Sequence, residues 1–411
     1  MDNSGILTPK ISRQNFYAFL WHAGFLAFAK NFMDVDTIIP AMIIESGGNS
    51  MHIGFMTVII LGGSRFTQLF FAPYLSNHPY KKKFLLTGIN LRIFSLFALG
   101  FILFNLGGKS QSGIFLWFVF IFITVYSLGG AFTNISYTDI LGKAVGEDRW
   151  KSFFSAKQII AGIILLISAF LAKWILTDSD FPDNYAWLFL SGGILLLIAS
   201  AGFWKIKETV PSFMKIKGFK NFIKALKSEL TDNKKLLYYL GYINTQGIIV
   251  SFLPFVMLYA KETFNTQSND TGNFLLYKVI GIVTVSMLVL FAARKVKYNF
   301  LLYLNVILSG ILILGTILIN YEFILSSIFI LGGVVITLYN ITMNGLLLEV
   351  SDSSNRALYT GFTGAGHILP TLFPLAGSWI INRYGFQPFF LLFMVIVLLS
   401  LFCIPNIKCH K

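Results

Sequence analysis

The chain is written in long hydrophobic blocks separated by short polar ones. Apolar runs recur at about residues 16–44, 52–76, 84–104, 113–138, 152–176, 185–204, 236–260, 273–293, 300–319, 323–347, 357–382 and 386–404. Each is near the ~20 residues a helix needs to cross a bilayer. Only a helix or a closed barrel satisfies its own backbone in lipid, and runs this long are helical rather than barrel strands. The pattern predicts an all-α integral membrane protein with twelve transmembrane helices. A polar stretch at 205–235 divides the runs six and six, which predicts segments 1–204 and 236–411 joined by a basic linker. Within the linker, Phe213, Ile216, Phe219, Phe222, Ile223, Leu226 and Leu230 fall at helical spacing among lysines. That spacing predicts an amphipathic helix suited to an anionic membrane surface.

Composition agrees with the pattern. Of 411 residues, 55% are hydrophobic and 12% charged, against roughly 25% charged in soluble domains. The formal charge of +14 would fit nucleic acid if it were clustered, but it alternates with the runs. With the N-terminus inside, 23 lysines and arginines fall on the cytoplasmic side and 4 on the other, as the positive-inside rule requires. The excess is therefore a topology signal. It predicts a multi-pass protein of the cytoplasmic (inner) membrane with both termini inside, and argues against a nucleic-acid partner. The two cysteines, Cys403 and Cys409, lie at the C-terminus, with no metal-ligand spacing and no disulfide framework. The first apolar run is too long for a signal peptide and lacks an evident cleavage site, so it is expected to be retained. No phosphate loop, nucleophile–base arrangement or metal cluster is found. The chain reads as a non-enzyme without cofactors.

The first run is the most unusual. It holds Lys30, Asp34, Asp36 and Pro40, although charges at membrane depth usually face a protein interior or a watery cavity. Lys30 and Asp34 are four apart and share a helix face. Asp36 lies about 200° around from Asp34, so the two acids face differently. Pro40 leaves the carbonyl of Asp36 without its helical donor and predicts a kink there. The seventh run carries Pro254 in the corresponding place, with Ile248 and Val250 where the first has its acids. The fourth and tenth runs carry Gly129-Gly130 and Gly332-Gly333, followed by the acid–base pairs Asp139–Arg149 and Glu349–Arg356. Together these matches predict a parallel internal duplication.

With twelve spans, a six-plus-six split and a basic central loop, the chain resembles the major facilitator superfamily over its whole length. The family's signature between spans two and three, Gly-x-x-x-Asp-Arg-x-Gly-Arg-Arg, is here Pro73-Tyr-Leu-Ser-Asn77-His78-Pro-Tyr80-Lys81-Lys82. The final basic pair is kept as Lys81 and Lys82, while Asn77 replaces the acid on which the family's cytoplasmic latch is built. The loop Asp139-x9-Arg149-Trp150-Lys151 resembles the acid-then-basic pattern of some bacterial members. The resemblance implies two six-helix bundles related by a pseudo-two-fold axis along the membrane normal. Between them lies a cavity that opens alternately to each side, lined by spans 1, 4, 7 and 10. Trp21, Phe25, Tyr126, Tyr137, Tyr242, Asn244, Gln246, Tyr339, Asn340 and Asn344 occupy those spans.

The candidates for substrate contact or proton coupling are Asp34, Asp36, Lys30, Arg65, Arg92, His367 and Lys278. A structural ion pair of an acid with Lys30 or Arg65 is the competing reading, and Arg92 and Lys278 are each placed to reach towards a membrane surface. His22 adds a second imidazole within the spans. Asp139–Arg149 and Glu349–Arg356 are expected to brace an inner gate, and Pro40 and Pro254 to kink their helices. The function expected is secondary active transport of a small polar organic solute, anionic or zwitterionic, coupled to protons, by a monomer in contact with membrane lipids. The alternatives are a lipid or lysolipid flippase on the same fold, and a non-transporting sensor or scaffold that uses the 205–235 segment.

Overall fold

The computed structural model describes residues 7–107, 112–146, 149–212, 219–292, 296–350, 361–364 and 366–407. Among them every regular element is helical. In chain order these are α1 (Pro9–Phe32), α2 (Ile38–Glu45), α3 (Ser50–Leu61), α4 (Gln68–Ser76), α5 (Lys82–Leu106), α6 (Ser112–Ala144), α7 (Trp150–Asp178) and α8 (Asp183–Lys205). They continue with α9 (Phe219–Asp232), α10 (Lys234–Gln246), α11 (Phe252–Phe264), α12 (Ser268–Ala292), α13 (Tyr298–Ile317), α14 (Ile324–Val350), α15 (Ile368–Tyr384) and α16 (Phe386–Leu399).

Ten helical stretches among the described residues are long and apolar enough to cross a membrane. The first run falls outside that count although α1 has 24 residues, because Asn15, His22, Lys30 and Asn31 make it too polar, and the eleventh because its described helix is short. The first run breaks at 33–37 between α1 and α2. In the eleventh, a turn at His367 precedes α15, which has 17 residues. Prolines sit at equivalent places in the first and seventh runs: Pro40 is the third residue of α2, and Pro254 the third of α11. A proline in the first turn of a helix costs no hydrogen bond, because those N–H groups have no helical partner. Each therefore begins a new helix after a break, and for Pro254 the break is a 3₁₀ turn at Gly247–Ser251.

Two compact units emerge from the packing. The first holds Met1–Asp34 and Gly63–Ile223, the second Val35–Gly62 and Lys224–Lys411. In the first unit α5 packs on α6 and α8, and α1 on α7 and α8. The α5–α6 approach depends on two glycines. A Cβ on Gly88 would meet the Gly129 carbonyl at 2.6 Å, and one on Gly129 the Gly88 carbonyl at 2.8 Å, so small residues let the backbones touch. Asn31 ties α1 to α7 by donating to Leu165 O and Ser168 Oγ, both at 2.7 Å. Gly62–Phe66 forms a π-helical stretch. There Thr67 Oγ1 donates to Gly63 O, and Gln68 Nε2 donates to Ser64 O at 2.7 Å.

In the second unit α3 lies along α15, α12 against α14, and α2 against α11 and α12. Phe252, Phe255, Phe373, Phe389 and Phe393 form an aromatic core between α11, α15 and α16. A buried amide network crosses α10 and α13. Gln246 Nε2 donates to Asn305 Oδ1 (2.6 Å) and Ser309 Oγ (2.7 Å), while Asn305 Nδ2 donates to Val335 O (2.8 Å).

The linker helix α9 spends part of its apolar stripe on protein. Phe222 and Leu226 are buried, and Phe219 stacks on Phe70 with centroids 5.1 Å apart. Phe213 and Ile216, expected on the same stripe, lie outside the described residues.

Candidate functional site

Charged side chains form three groups among the described residues. In the second unit, Asp36 leaves the break before α2 and meets Lys278 of α12. Lys278 Nζ stands 2.5 Å from Asp36 Oδ2, and the two side chains are 5% and 9% exposed. Lys278 thus turns to an acid instead of running along its helix towards a surface. A cavity of about 10 Å³ lies beside the pair, lined by Val35, Asp36, Met56, Thr57, Ile60, Leu61, Val250 and Pro254. That is close to the smallest volume that holds one water. Pro254 thus faces the acid that has no counterpart in its own run. Asp34, two residues earlier, is also buried but belongs to the first unit. The two acids fall on either side of the division between the units, at a break where helical angle does not apply.

A second group, in the first unit, is basic and aromatic. Arg92 of α5 lies over the ring of Tyr126 on α6, 4.3 Å from its centroid, and donates to its hydroxyl. Lys157 of α7 lies 5.4 Å from the ring centroid of Tyr137, also on α6. Arg92 and Lys157 both act electrostatically on His22 of α1, and Lys30 acts on Lys157. His22 stacks on Phe203 at 3.6 Å and faces Ala199 O through Nδ1 at 3.2 Å. Lys30 is on an exposed flank of α1, and Arg65 sits in the π-helical stretch, half-buried. Lys157 was not among the residues singled out from sequence, although a lysine six residues into the apolar run 152–176 was a visible signal.

The third group stitches the ends of α5, α6 and α8 together. Lys81 and Lys143 both pair with Asp139, at 3.0 and 2.9 Å, and Lys143 also pairs with Glu208 at 2.8 Å. The Glu208 carboxylate accepts the backbone N–H groups of Lys81 and Lys82 at the start of α5 (2.7–2.9 Å). A helix N-terminus, with unsatisfied N–H groups and positive dipole end, favours such an anion. Ser212 Oγ donates to Asp139, and Lys81 and Lys143 reach the same hydroxyl. Burial is the largest influence on Lys81 and lowers its pKa from the ordinary lysine value, while Asp139 and Glu208 pull it back up. Asn77, which replaces the family's acid, only caps its own turn through Pro73 O at 3.0 Å. The negative charge near this loop comes from Asp139 and Glu208 instead.

Asp139 is thus partnered by Lys81 and Lys143, while Arg149 lines a recess of about 470 Å³ with Pro9, Lys10, Arg13, Gln14 and Tyr17. Of the corresponding Glu349–Arg356 pair, Arg356 and the Glu349 side chain lie outside the described residues. His367 precedes α15 and faces Thr363 O at 2.7 Å through Nδ1. Asn244 accepts from the backbone of Leu369. Gln246, in the amide network, and Asn244 both serve packing.

The described helices are long and apolar enough to span a membrane, and charges inside such spans mark functional sites. The Major Facilitator Superfamily profile matches residues 20–367, and the chain belongs to that family. No curated protein matches the chain significantly in sequence. Solved structures share the fold. A variant of the nucleoside transporter NupG superposes with a TM-score of 0.69 at 11% identity, covering 96% of this chain and all of that one. A D-xylose–proton symporter gives 0.68 at 16% identity, covering 94% and 96%. A POT family transporter in complex with a thioalcohol-conjugated peptide gives 0.67 at 12%, covering 96% of each. At these identities the likeness is one of fold.

Proposed function

We propose that the chain is a secondary active transporter, moving a small anionic or zwitterionic organic solute across the cytoplasmic membrane by alternating access and coupled to protons. The observation that carries this reading is the buried Asp36–Lys278 pair at a helix break. A carboxylate paired with a lysine inside a membrane is released from it by a proton, and a buried charge that loses its ion-pair partner is costly. Protonation of Asp36 therefore weakens the hold of α12 on the 35–62 segment. In this reading that segment moves with the bundle 1–204, against the bundle 236–411, with 205–235 as the connection. Its packing on α11, α12 and α15 is then the contact that must part when the far side opens. Lys30, Asp34, Arg65, Arg92 and His367 are assigned to the solute path. The Asp139 group, with Glu349 and Arg356 as its counterpart by sequence, is assigned to the near-side gate. The count of 23 basic residues against 4 supports cytoplasmic termini, and the protein is taken to act as a monomer.

The test is accumulation in proteoliposomes. An imposed inward proton gradient is expected to drive uptake or exit of at least one member of a panel of carboxylates, amino acids, phosphate esters, nucleosides and sugars. A panel on which the gradient has no effect sinks proton coupling.

A further inference from the structure

The basic recess at the start of α1 has no role in the proposed transport cycle, yet its walls are firmly held. Lys10, Arg13, Gln14 and Tyr17 stand three or four residues apart, so they share one face of α1. Ser12 and Asn15 project from the opposite side and are buried. Ser12 Oγ accepts from Gly146 N at 2.9 Å, and Asn15 Nδ2 donates to Ala144 O and Lys207 O, both at 2.9 Å. Asn15 Oδ1 also accepts from Lys207 N at 2.8 Å. The inner face of α1 thus clamps the end of α6 and the chain after α8, which fixes the direction of the outer face. Arg149 arrives from the turn before α7, where its N–H donates to Gly146 O at 2.9 Å. It lines the recess together with Lys10 and Arg13.

Three cations therefore border one space of about 470 Å³, within the roughly 300–1,000 Å³ of small-molecule sites. No carboxylate is among the described residues that line it. Lys10 and Arg13 are exposed, and a guanidinium fork suits the geometry of a phosphate. Further along, the same face of α1 turns aromatic. Tyr17 lies two turns beyond Lys10, about 10 Å along the axis, and Trp21 one turn further. They are 58% and 48% exposed, although both lie in the first apolar run. Trp21 Nε1 donates to Ile198 O of α8 at 2.8 Å. Leu197 and Ile198, with Ile194 one turn away, are exposed too. Gly202 permits this approach of α8, since a Cβ there would strike the Ala18 carbonyl. An exposed apolar strip on spanning helices meets acyl chains, and Tyr and Trp favour the border between chains and headgroups. Cations, then a tyrosine, then a tryptophan among aliphatic side chains follow an anionic phospholipid from headgroup to chain.

We propose that this recess is a site for an anionic phospholipid, with Lys10, Arg13 and Arg149 around the phosphate and the acyl chains along Tyr17, Trp21 and the exposed flank of α8. The proposal takes its leaflet from the reading that places both termini in the cytoplasm, where the inner leaflet is anionic. A phosphate ester is common to a lipid headgroup and a free metabolite. The apolar strip that continues from the cations selects the lipid.

The experiment follows quenching of tryptophan fluorescence in the full-length protein in neutral detergent micelles, by phospholipids brominated in their acyl chains. The probes are brominated phosphatidylglycerol and brominated phosphatidylcholine, with glycerol phosphate as a soluble competitor. Phosphatidylglycerol is expected to reach half-quenching at about one-tenth of the mole fraction that phosphatidylcholine needs, at about fivefold per cation near the phosphate. Trp21→Phe is expected to lose the quenching specific to phosphatidylglycerol, because Trp21 is the reporter on the strip. Lys10→Gln/Arg13→Gln is expected to weaken phosphatidylglycerol about fivefold or more and to leave phosphatidylcholine unchanged. Lys173→Gln/Arg383→Gln removes as much charge from the C-terminal ends of α7 and α15 and is expected to keep the preference. Should the Lys10/Arg13 variant fail to fold, the wild-type preference and Trp21→Phe still decide. Equal quenching by the two lipids overturns the proposal, and would mean that the chain neutralises its own cations, as Glu147 and Asp148 beside Arg149 in the sequence could do. A preference that survives loss of Lys10 and Arg13, or that Trp21→Phe leaves at full size, places the lipid elsewhere and overturns it too. Displacement by glycerol phosphate at the concentration where phosphatidylglycerol binds makes this a site for a free phosphate ester and overturns the lipid assignment. Labelling of an N-terminal tag by an impermeant reagent in right-side-out vesicles is independent of the micelle measurements. A tag labelled from outside removes the cytoplasmic reading and leaves the site standing, whereas a protected tag with no lipid preference does the reverse.

Discussion

Replacing Lys278 by methionine removes an ion-pair partner of Asp36 while keeping a side chain of similar length. The pair is 2.5 Å apart and its side chains are 5% and 9% exposed, so solvent screening offers little relief. Breaking a buried pair from one side costs about 3–5 kcal/mol. Lys278→Met is therefore expected to lose about 4 kcal/mol, and Asp36→Leu a comparable amount. The double variant Asp36→Leu/Lys278→Met restores an uncharged interior and is expected to lose about 1 kcal/mol or less, because apolar replacement of a buried pair is often neutral. Equilibrium unfolding of purified protein in mixed micelles of rising SDS content measures all four proteins. Additive losses in the double variant would refute the pairing argument, since independent sites add and coupled ones do not.

Three further outcomes follow from the packing. Glu208→Ala removes the acceptor for the N–H groups of Lys81 and Lys82 and a partner of Lys143; a loss of about 1–3 kcal/mol and faster proteolysis between 205 and 218 are expected, and unchanged cleavage would count against the stitch. Gly88→Leu drives a side chain into the Gly129 backbone, so it should cost well over the ~1–3 kcal/mol of ordinary overpacking and abolish monodisperse elution on size exclusion. Gln246→Leu strips Asn305 and Ser309 of a buried donor and should destabilise by about 1–3 kcal/mol, with Asn305→Leu in the same chain recovering part of the loss.

Much of the architecture was legible because lipid imposes a coarse code, in which a run near twenty residues is a helix and lysines mark one side. The prolines were read as kinks, whereas Pro40 and Pro254 each stand in the first turn of a helix that begins after a break, in matching places. Side-chain partners were less so. Lys278 was visible as a charge in a span, but its partner lies in a segment more than two hundred residues away, and spacing along one helix cannot supply that link. Lys157 is about two turns into α7, close enough to its end to resemble a flanking lysine; its place over Tyr137 shows only in the structure. Glu208 sits in a linker whose many lysines drew attention to charge of the other sign. The division of the chain differs for a similar reason. Polar loops separate segments along the sequence, whereas compactness follows contact, and residues 35–62 make theirs with α11, α12 and α15.

The most direct test of coupling through Asp36 is proton movement driven by solute in liposomes with a pH dye trapped inside and no nucleotide present. Wild-type protein is predicted to shift internal pH when its solute is added on one side, and to do so in fixed proportion to solute moved. Asp36→Asn is predicted to exchange solute across the bilayer without moving protons or accumulating it against a gradient. Solute-driven pH change of wild-type size in Asp36→Asn would contradict the account.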